Sequence, residues 1–341
     1  YEVNKNEALI FAQRADMLSD EQMLLLEATE TYLNLLANIE IHALARNNLQ
    51  VLNQHFKAMT KRFEVGEATT TELSLSEARY LRAKSDEIKA RGDIEIEKSN
   101  YFSIVGAEAP KSLSFPEDRF NIPTNIKEII DEMLKSNPKI IANGLRKKSS
   151  FLEVSQVASN LLPSLDLNLS AQNAWAPNTF FEEYENYKME LSLKIPLYNG
   201  GYNYSDIRQK KKNAMQNSKN LDYIIKKTLS ETEILWIKKN SLDVQIKSIN
   251  STIDANKLAL DGVKKEAEVG ARTVLDVLDA EQDVLEEKVE FIKAKRDKIY
   301  TSFAILAKLG RFNAKELNLN VSLYNDNENY IKIKNLWLGF E

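Results

Sequence analysis

The chain has 341 residues, a formal net charge of −4 and no cysteine. That length holds two globular domains or one elongated one, and the acidic balance points away from nucleic acid as a partner. The missing thiols exclude disulfides, thiolate zinc sites and cysteine nucleophiles.

All seven prolines fall between Pro110 and Pro196, leaving 1–109 and 197–341 free of them. Proline inside a helix costs about 3 kcal/mol. Two long proline-free stretches rich in Ala, Glu, Lys and Leu therefore predict long helices, and the middle should hold the turns and strands. The first part, 1–106, reads as a helical hairpin. A helix runs to Lys61, a break falls at Val65-Gly66, and a second helix ends at Gly106, where glycine permits φ > 0. Thr69-x-x-Glu72 at the break is a capping box, in which the hydroxyl caps an early N–H and the acid reaches back. The chain opens at Tyr1-Glu2-Val3 inside this helical pattern without a visible signal peptide, so an N-terminal part is expected to be missing.

Residues 107–162 read as a connector and a helix over 124–160, capped by Thr124 or Asn125, with Pro138 at a kink or a helix start. In 163–201 the period changes to two. Leu165, Leu167, Leu169 and Ala171 alternate with Asp166, Asn168, Ser170 and Gln172. A loop is expected over Ala176–Asn186, carrying Phe180, Phe181 and Tyr184. Then Tyr187, Met189, Leu191, Leu193, Ile195 and Leu197 alternate with Lys188, Glu190, Ser192 and Lys194. Each run is about as long as a tilted membrane-crossing strand, and an amphipathic hairpin on a soluble core would show the same pattern. A membrane hairpin requires oligomerisation, because its edges are otherwise unpaired in lipid.

Residues 202–310 repeat the first part at an offset of 204. Val65-Gly66 falls on Val269-Gly270, Thr69 on Thr273, Glu77 on Glu281, Ile88-Lys89-Ala90 on Ile292-Lys293-Ala294, and Gly106 on Gly310. One register without gaps over a hundred positions marks a duplicated unit. Thr273-x-x-Asp276 is the second capping box. Leu278, Leu285, Ile292, Ile299 and Leu306 form a heptad seam, with Val289 and Phe303 beside it. The first helix of each copy should span about 55–60 residues, roughly 80–90 Å. Gly262 and the run Lys210-Lys211-Lys212-Asn213 are candidate interruptions. A tail over 311–341 follows. Tyr1 aligns with Ser205, so the twin of the 163–201 hairpin is expected just upstream of Tyr1.

The turn Pro196-Leu197-Tyr198-Asn199-Gly200-Gly201 and the run Val269-Gly270-Ala271-Arg272-Thr273-Val274-Leu275-Asp276-Val277-Leu278-Asp279-Ala280 resemble the TolC family of outer-membrane channels. There the second strand ends in a Pro-Leu-x-x-Gly-Gly-like turn, and the returning helix opens with Val-Gly-x-Arg-Thr-x-x-Asp-Val-Leu-Asp-Ala. The tail, with Tyr324-Asn325-Asp326 and Tyr330 ahead of Trp337-x-Gly339, resembles some type I secretion members.

The resemblance implies a mainly α fold with a small β part. Long coiled-coil hairpins build an α-helical barrel, four strands from each subunit of a homotrimer build a twelve-stranded outer-membrane barrel, and 107–162 and 311–341 lie at the equator. It implies a passive exit duct for a tripartite efflux pump or a type I secretion system, extending into the periplasm. Its partners would be a periplasmic adaptor, an inner-membrane pump of ABC or RND type, and outer-membrane lipid. Asp276 and Asp279 match the acidic ring at the tunnel entrance; a capping role explains Asp276 equally well but not Asp279. Arg272 matches a gate residue whose contacts in copy one would be near Thr71 and Glu72. The family's gate tyrosine is replaced here by Ala267. Val65, Gly66, Thr69, Val269, Gly270 and Thr273 would form the adaptor-docking tip, which a plain helix–helix turn also accounts for. Asp166, Asn168, Lys188, Glu190 and Lys194 would face the barrel lumen.

A coiled-coil scaffold or periplasmic adaptor is the alternative. An adaptor carries one hairpin with lipoyl-like and barrel modules that are not found here, and a scaffold leaves the amphipathic strands and the Gly-Gly turn unexplained. No nucleophile–histidine–acid set, metal-ligand spacing or phosphate loop appears, so no enzyme activity, metal or cofactor is expected. His42 and His55 read as polar-face helix residues.

Overall fold

The computed structural model describes residues 1–110, 112–116, 121–178 and 181–334. Seven α-helices and two strands, with a short 3-10 helix (Ser159–Leu161) before β1, run in the order α1 (Glu2–Glu64), α2 (Thr70–Val105), α3 (Ile126–Ser136), α4 (Pro138–Ala158), β1 (Ser164–Asn178), β2 (Phe181–Lys194), α5 (Tyr202–Glu268), α6 (Val274–Lys308) and α7 (Asp326–Lys334) among these residues. The chain divides into two compact units. One comprises Tyr1–Met17 with Pro138–Lys227, and the other Leu18–Asn137 with Thr228–Glu341. No helix among the described residues is long and apolar enough to cross a membrane.

The long helices exceed the sequence expectation. α1 has 63 residues and α5 has 67, about 95–100 Å each at 1.5 Å per residue. α5 runs without interruption through both Lys210–Asn213 and Gly262. A single helical glycine costs about 1 kcal/mol relative to alanine, too little to end a helix held along its whole length. The lysine run is anchored, since Lys210 Nζ meets Glu153 Oε1 on α4 at 2.8 Å.

Proline and asparagine divide the predicted 124–160 helix. Asn125 is its cap, accepting from the Lys127 N–H at 3.0 Å. The residue before a proline is pushed out of helical conformation. Asn137 accordingly sits at ψ 119°, and Pro138 opens α4 at the position where its missing N–H is harmless.

In the second unit the end of α3 is fastened to the end of α6. Ser136 Oγ donates to the Leu309 carbonyl at 2.7 Å, Asn137 Nδ2 to the Lys308 carbonyl at 3.0 Å, and Arg311 Nε meets Glu132 Oε1 at 2.5 Å. Ser136 and Asn137 thereby satisfy carbonyls that a helix C-terminus leaves open, and the Arg311–Glu132 ion pair adds to the fastening. Ile129, Met133, Ile305 and Leu309 are fully buried in this unit. The heptad seam is largely buried as expected, with Leu278, Ile292, Ile299 and Leu306 all inside. Farther along, Leu242, Ile249, Ile253 and Ala294 form a cluster with Ile246 and Phe291 against it.

In the first unit β1 and β2 form a two-stranded antiparallel sheet. It is longer than the expected runs. Pairing continues through the predicted Ala176–Asn186 loop to Trp175↔Glu183 and Asn178↔Phe181, with an irregularity between those pairs. The polar residues there still supply backbone N–H and C=O groups, which are what a ladder needs. Phe180 and the tail residues Trp337 and Gly339 lie outside the described residues.

Gly106 and Gly310 close their hairpins at φ 74° and 73°. A Cβ on Gly310 would meet the Ser136 carbonyl oxygen at 2.5 Å, whereas one on Gly106 meets nothing within 4 Å. Gly106→Ala is therefore expected to cost only the left-handed strain, about 1 kcal/mol, and Gly310→Ala clearly more, because the carbonyl must also move. Denaturant midpoints of the two variants check the order.

Candidate functional site

The two helix reversals are built alike. At the first, Gly66 N donates to Phe63 O at 3.0 Å and Glu67 N to Arg62 O at 2.8 Å. At the second, Gly270 N donates to Ala267 O at 3.1 Å and Ala271 N to Glu266 O at 2.9 Å. Both pairs are the crossed bonds of a Schellman motif, whose left-handed residue is glycine at φ 77° in each copy. The next helix opens on an extended threonine cap. Thr69 Oγ1 accepts from Glu72 N at 3.2 Å while Glu72 Oε2 accepts from Thr69 N at 2.7 Å. Thr273 and Asp276 reproduce this at 3.2 and 2.8 Å. Both sequence-predicted capping boxes are thus present, and Val65 and Val269 stand exposed at the apices.

The box sets the charge of its acid. Hydrogen bonds from the Thr273 backbone and hydroxyl, aided by nearby Arg272, hold the Asp276 carboxyl below its ordinary range. Thr69 does the same for Glu72. A depressed pKa keeps the charged form as pH falls, so each carboxylate stays ionised to a lower pH than an ordinary residue of its type.

A groove of ≈ 380 Å³ lies between the two reversals, lined by Met59, Leu75 and Leu278 together with Arg62, Arg79 and Arg272. Glu72 borders the same groove. Arg272 Nε meets Glu266 Oε2 of its own copy at 2.9 Å, whereas Glu72 is held by Thr69. The link between the copies is made elsewhere. Arg79 Nη2 on α2 meets Asp279 Oδ1 on α6 at 2.6 Å. Sequence reading did not single out Arg79. Its only signal is that copy two has Asp283 at the equivalent position.

The hairpin, in the other unit, separates its faces from Ser164 to Ala171 and their partners on β2. Directly paired residues share a face. One face carries Leu165↔Leu193, Leu167↔Leu191, Leu169↔Met189 and Ala171↔Tyr187, and the other Asp166↔Ser192, Asn168↔Glu190 and Ser170↔Lys188. Lys194 joins the polar face opposite Ser164, and Lys188 pairs with Glu190 along it. The apolar side chains are exposed: Leu169 by 71%, Met189 by 74% and Tyr187 by 77%. Trp175 lies on the same face beyond Asn173↔Glu185, which with Glu183 interrupts its apolar character; Tyr184, opposite Ala174, lies on the polar face. The unbroken apolar run from Leu165 to Ala171 is about 20 Å along the strand, or about 15 Å high at a tilt of about 40°, which covers part of the apolar band of a membrane barrel.

A long helical hairpin repeated twice around an amphipathic strand pair defines the class of duct-forming outer-membrane channels. The family model "Outer membrane efflux protein" matches residues 129–311. The outer membrane efflux protein BepC of Brucella suis is 30% identical over 334 residues, covering 98% of this chain and 73% of that protein. TolC of Escherichia coli is 23% identical, covering 88% of this chain, which spans 63% of TolC's length. The crystal structure of the Campylobacter jejuni CmeC outer membrane channel shares the fold, with a TM-score of 0.79 over 96% of this chain and 69% of that one, at 16% identity.

The chain belongs to the outer membrane efflux protein family. It is a component of an outer-membrane exit duct, in a family of channels that work with pump components rather than as enzymes.

Thr69→Ala and Thr273→Ala should each lower stability by about 1 kcal/mol and fray the first turn of α2 or α6. Hydrogen exchange of the Glu72 and Asp276 amides, accelerated in the matching variant only, is the check.

Proposed function

We propose that this chain is one subunit of a homotrimeric duct, with β1–β2 in an outer-membrane barrel and the paired helices walling a periplasmic tunnel. The two reversals then meet a periplasmic adaptor, which joins the duct to an ABC or RND pump in the inner membrane. The observation that carries the reading is the exposed apolar face of the hairpin. Leucine, methionine and tyrosine side chains lined up toward water on a two-stranded sheet call for a cover, and in a family of outer-membrane channels lipid is the cover that fits. A lone hairpin leaves backbone edges unpaired in lipid, so strands of other subunits must close the barrel. Asp166, Asn168, Lys188, Glu190 and Lys194 then face its aqueous lumen.

The tunnel entrance lies at the second reversal. Asp276 and Asp279 are three residues apart and share a face of α6. Threefold symmetry gathers six such carboxylates, an arrangement that favours cations and slows anions. Val65, Gly66, Thr69, Val269, Gly270 and Thr273 form the surface offered to the adaptor, and Arg272 and Glu72 both line the groove that opening would reshape.

The full-length protein is expected to form pores in planar bilayers, and Asp276→Asn with Asp279→Asn to weaken their block by multivalent cations. A purified protein that stays monomeric without detergent and conducts nothing would sink the reading; a stable long-helix dimer would favour a scaffold. Leu191→Arg, on the apolar face, should cost about 2–4 kcal/mol of barrel stability, while Ser192→Arg on the opposite face is tolerated. Trimer yield after membrane extraction compares the two.

A further inference from the structure

We propose that Arg79 sets the charge of the tunnel entrance: by pairing with Asp279 it silences one of the two acidic groups each subunit presents, leaving Asp276 as the standing charge. This rests on the reading of Asp276 and Asp279 as entrance residues.

The pair is a product of divergence between the two copies. At the 204-residue offset the counterpart of Asp279 is Leu75, and that of Arg79 is Asp283. The cation exists only in copy one and its acceptor only in copy two. The 2.6 Å contact between them crosses from α2 to α6, so neither copy alone could form it.

The two acids of the entrance therefore differ in kind. Asp276 uses one oxygen, Oδ2, for Thr273, and makes no ion pair among the described residues. Its hydrogen-bond partner Thr273 is neutral, and the nearby Arg272 has its guanidinium against Glu266 rather than against Asp276. Asp279 has a guanidinium against one oxygen. Seen by an ion several ångströms away, a carboxylate and an adjacent cation largely cancel. The side chain of Asp279 is 58% exposed and that of Arg79 30%, so a multivalent cation can reach the carboxylate only in competition with Arg79. An exposed pair of this kind contributes little to stability, so replacing Arg79 changes the charge at the entrance without threatening the fold.

Around Arg79 the neighbouring pocket adds Arg82, Asp86, Glu281 and Glu286. Glu281 is already engaged by Lys264 Nζ at 2.8 Å. Asp279 is the acid that Arg79 itself contacts.

The test is block of the full-length channel in planar bilayers by hexamminecobalt(III), with ion selectivity recorded in parallel. Arg79→Gln should lower the blocking concentration several-fold and raise cation selectivity, because each subunit gains an unpaired carboxylate. Arg79→Lys, which keeps the charge, should stay near the parent. Arg79→Gln combined with Asp279→Asn removes the pair as a whole and should return block and selectivity to near the parent. If Arg79→Gln changes nothing while Asp279→Asn raises the blocking concentration, Asp279 is unpaired in the assembled channel and the proposal falls. It falls too if the double variant stays with either single variant instead of returning toward the parent. If Asp276→Asn and Asp279→Asn are also silent, the entrance reading itself has failed.

Discussion

A helix of more than sixty residues cannot bury its apolar stripe on a compact core; it needs a returning helix beside it. The structure therefore depends on the reversals. Each must end one helix, satisfy its last carbonyls, and start the next within five residues. Glycine at φ 77° supplies the left-handed step, and the extended threonine supplies the cap. Because the same solution appears twice with nearly equal geometry, the returning helices start in equivalent registers. The buried seam of α6 and the short side chains Ser76, Ala83 and Ala90 of α2 follow from that start.

Much of this was legible in the sequence because it is local chemistry. A glycine before a threonine capping box carries its own physical reason, and proline absence licenses long helices directly. What was less legible depended on summed effects. The lysine run and Gly262 look like interruptions in a short window, yet each costs little against a helix of 67 residues. The strand pairing beyond Gln172 was hidden because side-chain alternation fades there while backbone pairing continues. Arg79 was missed for a third reason. Its role comes from which helices lie side by side, and the internal repeat predicts only what the two copies share.

The same duplication displays what the copies do not share. In copy one His42 Nε2 lies 3.0 Å from Glu87 Oε1. At the 204-residue offset these positions are Ile246 and Phe291, packed against an apolar cluster. One contact in the second unit is thus held by a directional polar pair and its duplicate by apolar area. The hydrogen bond from His42 is the largest influence holding the Glu87 carboxyl below its ordinary range. Apolar packing resists displacement through lost contact and is indifferent to proton concentration. A half-buried imidazole–carboxylate pair tolerates a small shift by admitting water, and its strength depends on the imidazole's charge.

Divergence has therefore worked in one direction along the helices of the second unit. Copy two concentrates apolar contact in the middle of its coil and acids at its reversal, where Asp276 and Asp279 stand. Copy one keeps a polar contact in its coil and contributes the cation that meets Asp279. Two identical hairpins would have placed the same charge at both reversals, and like charges facing each other across the groove would repel. With Asp279 in one copy and Arg79 in the other, the junction gains an attractive contact although the box acids Glu72 and Asp276 remain on both sides. The backbone solution that reverses both helices is left unchanged.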